Sequence, residues 1–490
     1  MWGGRSKLAL VLVSVTALCS VALASQAFGY SVWPLAGSGV ACGTPPSCGD
    51  AGAGSSALLA YPIGVALDKA GNAYVADWGD NVVRKLGVGG SITTIAGSGT
   101  QCSAPPGCGD GRAATAATLS FPDGVAVDQS GNVYIADTLD NEIRKVAPGG
   151  RITRFAGTGT PCAGPPNCGD GGAATAAQLS SPFGVAVDKL GNVYIGDAGD
   201  NEIREVTPAG KISRIAGTGE PCPKAPGCGD GGAATSAQLG FPAGVAVDGA
   251  GNVYVADDGN NEIRRFSPGG AIARIAGTGA VCASAPSCGD GGPATNATLG
   301  GPDGVAVDQH KNVYVADGGD NEVRKINAAG TISRIAGNGT GCAVAPGCGN
   351  GGPATSAQLN YPDAVAVDQL GNVYADDTSD NQLRLLSTAR GSSVVTSSGT
   401  AGVLALTSTV AASSVTVRYV LSLRSAVTLS VTPHGGSPTV IARATGNPGW
   451  ATLAWNRQLG GSAAARGTYK LTVSATVGGK ALTSSLRVRL

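Results

Sequence analysis

Twelve of the thirteen cysteines stand in six pairs that share one spacing, and the thirteenth is Cys19. Each pair has the form Cys-x5-Cys with proline in between. In an exported protein, an even and regularly spaced set predicts disulfides, by default within each loop. The alternative is zinc, which needs four ligands, and no histidine or second cysteine pair is near in sequence. The pairs are Cys42 and Cys48, Cys102 and Cys108, Cys162 and Cys168, Cys222 and Cys228, Cys282 and Cys288, and Cys342 and Cys348.

The chain also repeats itself every 60 residues, and positions where the six units differ are candidates for ligand contacts. Three variable positions carry aromatic or acidic residues. Two of them precede the innermost strand and are predicted to surround a channel mouth, and the third is in the turn after the second strand. Aromatic rings there could stack on a sugar or clamp a peptide. The alternative is drift on a tolerant loop, or an aromatic plug for the channel. The ligand-binding candidates are Tyr61, Trp78, Phe121, Asp123, Phe183, Phe241, Asp258, Asp303, Tyr361 and Asp363.

Three of these candidates, Asp123, Asp303 and Asp363, occupy one position in their units and break the repeat there. Because Ca²⁺ takes six to eight oxygen ligands, they are also the candidates for a calcium site. No other metal is expected, and no cofactor is required. His310 and His434 are the only histidines, so most general-base and metal-hydrolase schemes lack their usual residue. We therefore expect no enzyme and assign no catalytic residue.

Other acidic and basic residues recur in every unit and are explained by structure. Asp77 and its equivalents end a predicted strand, where a short acidic side chain can bond nearby backbone N–H groups. The alternative for these aspartates is a ring of carboxylates that binds Ca²⁺. Arg84 and its equivalents are expected to pair with acidic neighbours across strands. The Gly-Asp-Gly-Gly segments, such as Gly169–Gly172, are interpreted as turns.

The elements that position these residues are short strands. In the second unit they are predicted at Val125–Asp128, Val133–Asp137, Glu142–Val146 and Ile152–Ala156, each rich in Val and Ile and bounded by turn residues. Four antiparallel strands repeated six times predict an all-β fold, a six-bladed β-propeller over residues 31–388. The long crossing loops with the cysteines should all lie on one face, which we expect to be the ligand face.

The repeat also predicts how the ring closes. The sixth unit has no fourth strand after Leu386, whereas the segment Val32-Trp-Pro-Leu-Ala-Gly37 aligns with Ile152–Gly157 at an offset of 120 residues. The N-terminal segment should therefore complete the last blade. Pro34 fits, because an edge strand can lose one donor.

These units resemble NHL repeats, in segments such as Pro122-Asp-Gly-Val-Ala-Val-Asp128 and Asn141-Glu-Ile-Arg-Lys-Val146. Gly289-Asp-Gly-Gly-Pro-Ala-Thr295 is similar to the linker of many bacterial NHL proteins. The resemblance implies an NHL-type propeller in a secreted bacterial protein. Propellers of this kind occur in an amidated-peptide lyase, lactonase-like hydrolases, receptor-kinase sensor domains and adhesion modules, so fold alone does not assign function. The lyase resemblance would imply axial histidine ligands, and no histidine here matches them.

The two ends of the chain differ from the repeat. Residues 1–24 have the pattern of a signal peptide, with basic residues, an apolar run and Ala22-Leu23-Ala24 before a cleavage point. A Ser/Gly/Thr linker is predicted at 389–400 and a small basic immunoglobulin-like β-sandwich at 401–490, where Arg466-Gly-Thr-Tyr-Lys-Leu-Thr-Val473 resembles a strand of bacterial Ig-like modules. We expect a secreted, extracellular or cell-surface protein with no transmembrane segment in the mature chain.

Charge is divided unevenly between these regions. Residues 391–490 contain nine basic and no acidic residues, so all 33 acids lie earlier in the chain. This asymmetry predicts an anionic partner for the tail, such as an envelope polymer or the propeller itself. The alternative is that the basic residues only keep the sandwich soluble. Nucleic acid is not expected, because the protein is predicted to be exported and stacking aromatics are not interleaved with its basic residues.

The preferred interpretation is a non-enzymatic binding, adhesion or sensor-type protein. Its disulfide-stiffened face would contact an extracellular protein, peptide or polysaccharide, and the basic domain would tether it to an envelope. One alternative is a Ca²⁺-dependent enzyme similar to the lactonases or the lyase, because carboxylates could suffice for it. The other is a structural component of the extracellular matrix.

Overall fold

Short runs of valine and isoleucine, bounded by glycine, asparagine or aspartate, set the strands of every unit. The protein is represented by a computed structural model. It describes residues 29–43, 45, 48–88, 90–166, 168–224, 226–286, 288–343, 345, 348–387, 403–410, 415–421, 425–433, 436–446, 449–459, 462–477 and 480–489. The predicted signal peptide (1–24) and linker (389–400) lie outside these residues.

Residues 31–387 form six four-stranded antiparallel sheets. In chain order the strands are β1 (Ser31–Ala36), β2 (Pro62–Leu67), β3 (Ala73–Asp77), β4 (Val82–Leu86), β5 (Ile92–Ala96), β6 (Pro122–Val127), β7 (Val133–Asp137), β8 (Glu142–Val146), β9 (Ile152–Ala156), β10 (Pro182–Val187), β11 (Val193–Asp197), β12 (Glu202–Val206), β13 (Ile212–Ala216), β14 (Pro242–Val247), β15 (Val253–Asp257), β16 (Glu262–Phe266), β17 (Ala273–Ala276), β18 (Pro302–Val307), β19 (Val313–Asp317), β20 (Glu322–Ile326), β21 (Ile332–Ala336), β22 (Val365–Val367), β23 (Val373–Asp377) and β24 (Gln382–Ser387).

The sheets are the blades of a closed ring. Blades one to five each use four consecutive strands, from β2–β5 to β18–β21. The first strand of each blade contacts the first strand of the next, and β22 contacts β2. The predicted six-bladed propeller is therefore confirmed. The innermost strand begins earlier than predicted, at Pro122 rather than Val125, because Pro122 pairs with Asp137 across a register shift.

The predicted closure is also confirmed. The sixth sheet has the order β1-β24-β23-β22, with Val32 opposite Leu386. Pro34 lies on this outer edge strand, next to a register shift. Because no further strand pairs with that edge, the backbone N–H that proline lacks is not needed for a hydrogen bond there. The first and last strands of the propeller therefore pair with each other and close the ring.

Each blade also carries two short 3-10 turns. One set precedes the innermost strand and comprises Gly54–Ser56, Ala114–Ala116, Ala174–Ala176, Ala234–Ser236, Ala294–Asn296 and Ala354–Ser356. The other follows the second strand and comprises Trp78–Asp80, Thr138–Asp140, Ala198–Asp200, Asp258–Asn260, Gly318–Asp320 and Thr378–Asp380. The second set ends in asparagines in the left-handed conformation, such as Asn81 at φ 53°. Asparagine tolerates this conformation, which explains its recurrence.

The hydrophobic core lies between neighbouring blades. In one cluster, Tyr134 and Ile143 of blade two pack with Val185 and Ile195 of blade three, and Leu179 from the connecting segment joins them. Equivalent clusters recur around the ring. The repeated Val, Ile, Leu and Tyr positions are thereby explained by packing.

The C-terminal region forms two sheets that share one core. Its strands are β25 (Val403–Val410), β26 (Val415–Leu421), β27 (Ser425–Pro433), β28 (Thr439–Gly446), β29 (Gly449–Trp455), β30 (Gln458–Leu459), β31 (Ser462–Ala463), β32 (Thr468–Val477) and β33 (Lys480–Arg489). A sheet of β25-β26-β29 faces one of β28-β27-β32-β33, and Trp455 from the first packs with Leu429 and Leu471 from the second. The predicted β-sandwich is present, and its kinship to Ig-like modules stays a prediction. Within the described residues, no helix has the length and apolar character needed to cross a membrane.

Candidate ligand-binding face

The six predicted disulfides are confirmed, each within its own loop. Their Cα atoms are 5.7–5.8 Å apart. The carbonyl of Cys168 accepts a hydrogen bond from the backbone of Gln178, just before the innermost strand. The sulfur atoms of Cys102 and Cys108 lie within 4.8 Å of a carboxylate oxygen of Asp140, in the turn after the second strand. The loops, these turns and the entries to the innermost strands therefore form one surface, which we call the cystine-loop face.

A buried arginine fastens each loop to its blade. Arg144 is fully buried; its Nη2 lies 2.7 Å from Asp110 Oδ1 and its Nη1 3.1 Å from Asp137 Oδ2. Asp137 also accepts a hydrogen bond from the backbone N–H of Ser120 at 2.6 Å. Glu142, likewise buried, accepts one from Gly107 inside the cystine ring. The repeated arginines thus have the structural role expected. The Gly-Asp-Gly-Gly segments are more than turns, because their aspartates anchor the loops.

Six residues around the channel mouth adopt the left-handed backbone conformation, which favours glycine. These rim residues, with φ of 47–62°, are Tyr61, Phe121, Ser181, Phe241, Gly301 and Tyr361. Each rim N–H donates to the asparagine of the preceding blade, as Phe121 does to Asn81 Oδ1 at 3.0 Å, and Tyr61 to Asn381 at 2.9 Å across the closure. This ring of asparagines was not predicted from the sequence, although their strict recurrence was a signal for it.

Five of the six aromatic candidates form two groups on the rim, and the sixth is in blade six. Trp78 lies between Phe121, at 4.2 Å between ring centroids, and Tyr61, at 6.3 Å. Phe183 and Phe241 meet edge to face at 4.9 Å. Trp78 is half-buried by its neighbours, whereas Tyr61 is 49% exposed. The structure therefore brings together the aromatic candidates of blades one and two, and separately those of blades three and four.

A cavity of about 130 Å³ lies on the axis behind this rim. It is lined by the first residues of the six innermost strands, which include Asp123, Phe183, Asp303 and Asp363. The three aspartates, predicted to surround the mouth, thus lie in the cavity wall. Ile63 lies between Asp363 and Asp123 in the ring, because blade one neighbours blades six and two. The cavity wall therefore places carboxyl groups beside apolar side chains.

The axial acids carry strongly perturbed pKa values. Burial raises the pKa of Asp123 and of Asp363 to about 7 in each case. The pKa of Asp303 is raised well above its ordinary value, first by burial and then by Asp363 and Asp258. Burial raises the pKa of Asp258, on the rim, to about 6. These carboxyls therefore change their protonation near neutral pH, where a cation would favour the charged form.

Asp376 belongs to this acidic region, and the sequence analysis missed it. It is fully buried, neither carboxylate oxygen has a hydrogen-bond partner, and burial, together with Asp363, raises its pKa well above normal. Four of the other five blades carry alanine at this position, for example Ala136. Asp376 could have been identified in the sequence, because aspartate there replaces the alanine of four other units.

The axial aspartates are not arranged as a compact metal site. Among the described residues, groups of three acidic, cysteine or histidine ligand atoms within 4.8 Å of one another each combine a cystine with a turn aspartate, as in Cys162, Cys168 and Asp200. The sulfurs of a disulfide are not thiolate ligands. Calcium holds its oxygens at about 2.3–2.6 Å, so three ligands would lie closer together than the axial carboxylates do. His310 is exposed in the turn between β18 and β19, at the opposite end of the innermost strand from the cystine loops.

Comparison with known proteins identifies the repeats. The profile described as the teneurin NHL domain matches residues 30–107, 92–159, 151–218, 207–287 and 269–347. The chain is 34% identical over 233 residues to chicken (Gallus gallus) teneurin-1, covering 45% of this chain and 8% of the relative. It is 32% identical over 365 residues to mouse (Mus musculus) teneurin-4, covering 70% of this chain and 12% of the relative. It thus matches only a small part of these longer proteins.

One solved structure has the same fold over most of the propeller. It is a structural genomics protein of unknown function from Bacteroides thetaiotaomicron, with a TM-score of 0.51 and 18% identity. The alignment covers 73% of this chain and 76% of that one. At this identity the likeness concerns the fold alone.

Proposed function

The chain belongs to the teneurin NHL domain family, and from this premise we propose that it is a secreted, non-enzymatic binding or adhesion protein whose ligand contacts the cystine-loop face. The observation that carries the proposal is the strained rim. Tyr61 and Tyr361 are 49% and 44% exposed, yet both hold a left-handed backbone conformation that glycine would adopt without strain. Bulky residues kept at such positions cluster at binding sites, where the surrounding structure imposes the strain.

The rigidity of the face supports the same proposal. Disulfides, buried Arg–Asp pairs and the asparagine ring fix the loops before any ligand arrives. A face that is ordered in advance loses less conformational entropy on binding. The absence of a histidine set at the axis supports a role without catalysis, because His310 is the only histidine of the propeller and lies in a first-to-second strand turn.

The basic sandwich is the proposed envelope tether. Arg443, Arg466 and Lys470 have exposed side chains, and this part of the chain has no acidic residue to neutralise them. Anionic polymers of an envelope or matrix would be attracted to such a surface. Contacts of this kind between exposed charges weaken as salt increases, which separates them from contacts made by the aromatic rim.

Retention of the full chain on envelopes of its own cells tests the proposal. We expect the double substitution Tyr61→Ala with Trp78→Ala to reduce retention at high salt at least about tenfold, which corresponds to 1.4 kcal/mol. The matched control is Leu190→Ala with Leu370→Ala, which removes exposed side chains, 78% and 54% accessible, from first-to-second strand turns. Equal retention of both variants would contradict the proposal. Hydrolysis of a lactone, or release of a lyase product, by the wild-type protein with Ca²⁺ would favour the enzymatic alternative instead.

A further inference from the structure

Neighbouring blades interlock on the cystine-loop face by one repeated contact. The residue that opens the turn after the second strand of one blade lies against the rim residue of the next. Trp78 of blade one packs on Phe121 of blade two in this way. Between blades four and five the same contact would join Asp258 and Gly301, because a Cβ placed on Gly301 would lie 3.2 Å from Asp258 Oδ1. The carboxylate of Asp258 therefore lies where the rim side chain of another blade would begin.

Blade five lacks a second side chain at the same place. A Cβ placed on Gly318 would lie 2.6 Å from Asp303 Oδ2 and 3.3 Å from the ring of Tyr361. In blades two and six this turn position is threonine, and the hydroxyls of Thr138 and Thr378 donate to the backbone carbonyls of Pro182 and Pro62. In blade five, carboxylates thus occupy the places of two missing side chains, and we call this place, defined by Asp258, Gly301, Asp303, Gly318 and Tyr361, the blade-five notch.

Asp303 belongs both to this notch and to the wall of the axial cavity. Its Oδ2 is buried without a hydrogen bond. Asp123, which is 3% exposed and lines the same cavity, also has one unpartnered oxygen, Oδ1. Buried polar atoms are ordinarily satisfied, so each such atom needs an explanation. A donor from outside the chain, bound where both residues meet the cavity, would supply one.

The charges around Asp303 indicate that a group which donates to it should be positively charged. The neighbouring charges that act most strongly on Asp303 are Asp363, Asp258, Asp317 and Asp123, all of them acidic. Asp317 is already paired with Arg324 at 3.3 Å, and the other three have no cation among their main influences. Asp303 in turn raises the pKa of Tyr361 to about 12, which keeps that phenol neutral beside the notch. A cationic group would relieve this repulsion.

We propose that the blade-five notch and the axial cavity bind an alkylammonium group, such as the end of a lysine side chain presented by an extracellular protein. Two of the carboxylates of Asp303, Asp258 and Asp363 would accept hydrogen bonds from the ammonium. The aliphatic stem would lie along Ile63 and Val65, as long basic side chains bury their methylenes on apolar surface. The cavity volume is close to the roughly 150 Å³ that admits benzene in an engineered cavity, which suits a head group. This inference rests on the proposed function, since it names the chemistry recognised on the cystine-loop face.

The arrangement fits an organic cation better than Ca²⁺. Among the described residues, no three axial carboxylates have oxygens within 4.8 Å of one another, and Ca²⁺ takes six to eight oxygen ligands. An ammonium has only three N–H donors, so two carboxylates can be enough to hold it. The aromatic ring of Tyr361, beside the notch, offers a further favourable contact for a cation.

Calorimetric titration of the full chain with n-butylammonium tests the inference, with n-butanol as the uncharged probe. We expect n-butylammonium to bind at least about tenfold more tightly than n-butanol at pH 8, and to bind more weakly at pH 5.5 because the carboxyls must release protons. Gly318→Thr, which places the threonine of blades two and six against the carboxylate of Asp303, and Asp303→Asn should each weaken binding at least about tenfold. The control Ala198→Thr introduces threonine at the equivalent turn position of blade three and should leave binding unchanged.

Three outcomes would overturn the inference: equal binding of the two probes, unchanged binding in both notch variants, or stoichiometric Ca²⁺ binding that displaces the amine. Thermal melting confirms that each variant is folded. The probes need no partner protein, so this experiment is independent of envelope retention. If the protein binds the amine but the Tyr61 and Trp78 substitutions leave envelope retention unchanged, only the proposed function is contradicted. If those substitutions reduce retention but the amine does not bind, only the proposed ligand chemistry is contradicted.

Discussion

Asp376 is the single residue whose substitution should stabilise the fold most. Its carboxyl is fully buried with neither oxygen hydrogen-bonded, and an unsatisfied buried polar group costs about 1–3 kcal/mol. Four other blades place alanine at this position, so Asp376→Ala requires no repacking that the fold does not already contain. We expect the free energy of unfolding to rise by about 1–3 kcal/mol in chemical denaturation at pH 7.

The control for this substitution is Ala136→Asp, which places the same carboxyl at the equivalent position of blade two. It should lower the free energy of unfolding by a similar amount. If Asp376→Ala were destabilising instead, the carboxyl would have a partner or a bound ion in solution. Proteins keep unfavourable residues where activity needs them, so a stabilised variant that binds amines less tightly would connect Asp376 to the site.

At the residue scale, comparison of the chain with itself located much of the candidate site. Asp123, Asp303 and Asp363 were identified because they break a repeat, and all three line the cavity. The notch was not predicted, because it is formed by the absence of side chains at Gly301 and Gly318. A glycine in a turn ordinarily indicates backbone conformation, and only the distances to Asp258 and Asp303 show that here a carboxylate occupies the place of the missing side chain.

The stability of each cystine loop should depend less on its disulfide than on the buried arginine that contacts it. Closing a seven-residue ring restricts the unfolded chain by only about 2 kcal/mol. Replacing Cys102 and Cys108 with serine should therefore lower the free energy of unfolding by at most about 2 kcal/mol. Arg144 and Glu142 would still hold the loop backbone, so its amide protons should remain protected from hydrogen exchange.

Arg144→Met should be the more damaging change in the same loop. It leaves Asp110 and the fully buried Asp137 without their cation, and breaking a buried pair in this way costs about 3–5 kcal/mol. Hydrogen exchange should accelerate throughout the cystine loop of blade two. A loss smaller than that of the double serine variant would contradict this ranking of the two anchors.

The strands and their order were predictable because two local signals agree: β-branched runs of fixed length, and turn residues between them. Ring closure was predictable from the offset of 120 residues alone. The long-range partner of each arginine was not. Arg144 and Asp110 are 34 residues apart, and their contact depends on how the crossing loop folds back over its blade.

For the whole molecule, the raised carboxyl pKa values predict that the propeller is most stable in mildly acidic solution. An unfolded aspartate loses its proton near pH 3.9. Asp123 and Asp363 keep theirs in the folded state up to about pH 7, and Asp258 up to about pH 6. Between these values the folded state binds more protons than the unfolded one, so the free energy of unfolding falls as pH rises, by up to about 1.4 kcal/mol per pH unit for each group.

Other groups do not reverse this trend above pH 5. The pKa values of Asp128 and Asp248 are lowered, mainly by hydrogen bonds that outweigh burial, so the stability they contribute is already present once pH exceeds about 4. Glu142 and Glu262, whose pKa values burial raises to about 7, act in the same direction as the axial aspartates. The melting temperature should therefore decrease steadily from pH 5 to pH 8.

The same linkage joins stability to ligand binding. A cation at the axis favours the charged carboxyls, so n-butylammonium should raise the melting temperature at pH 8 and have little effect at pH 5. Asp123→Asn removes one titrating group and should flatten the pH dependence without changing the fold. A melting temperature that is constant or rises between pH 5 and pH 8 would mean that these carboxyls are already ionised and compensated in solution, and an ion resident on the axis would then be the source of that compensation.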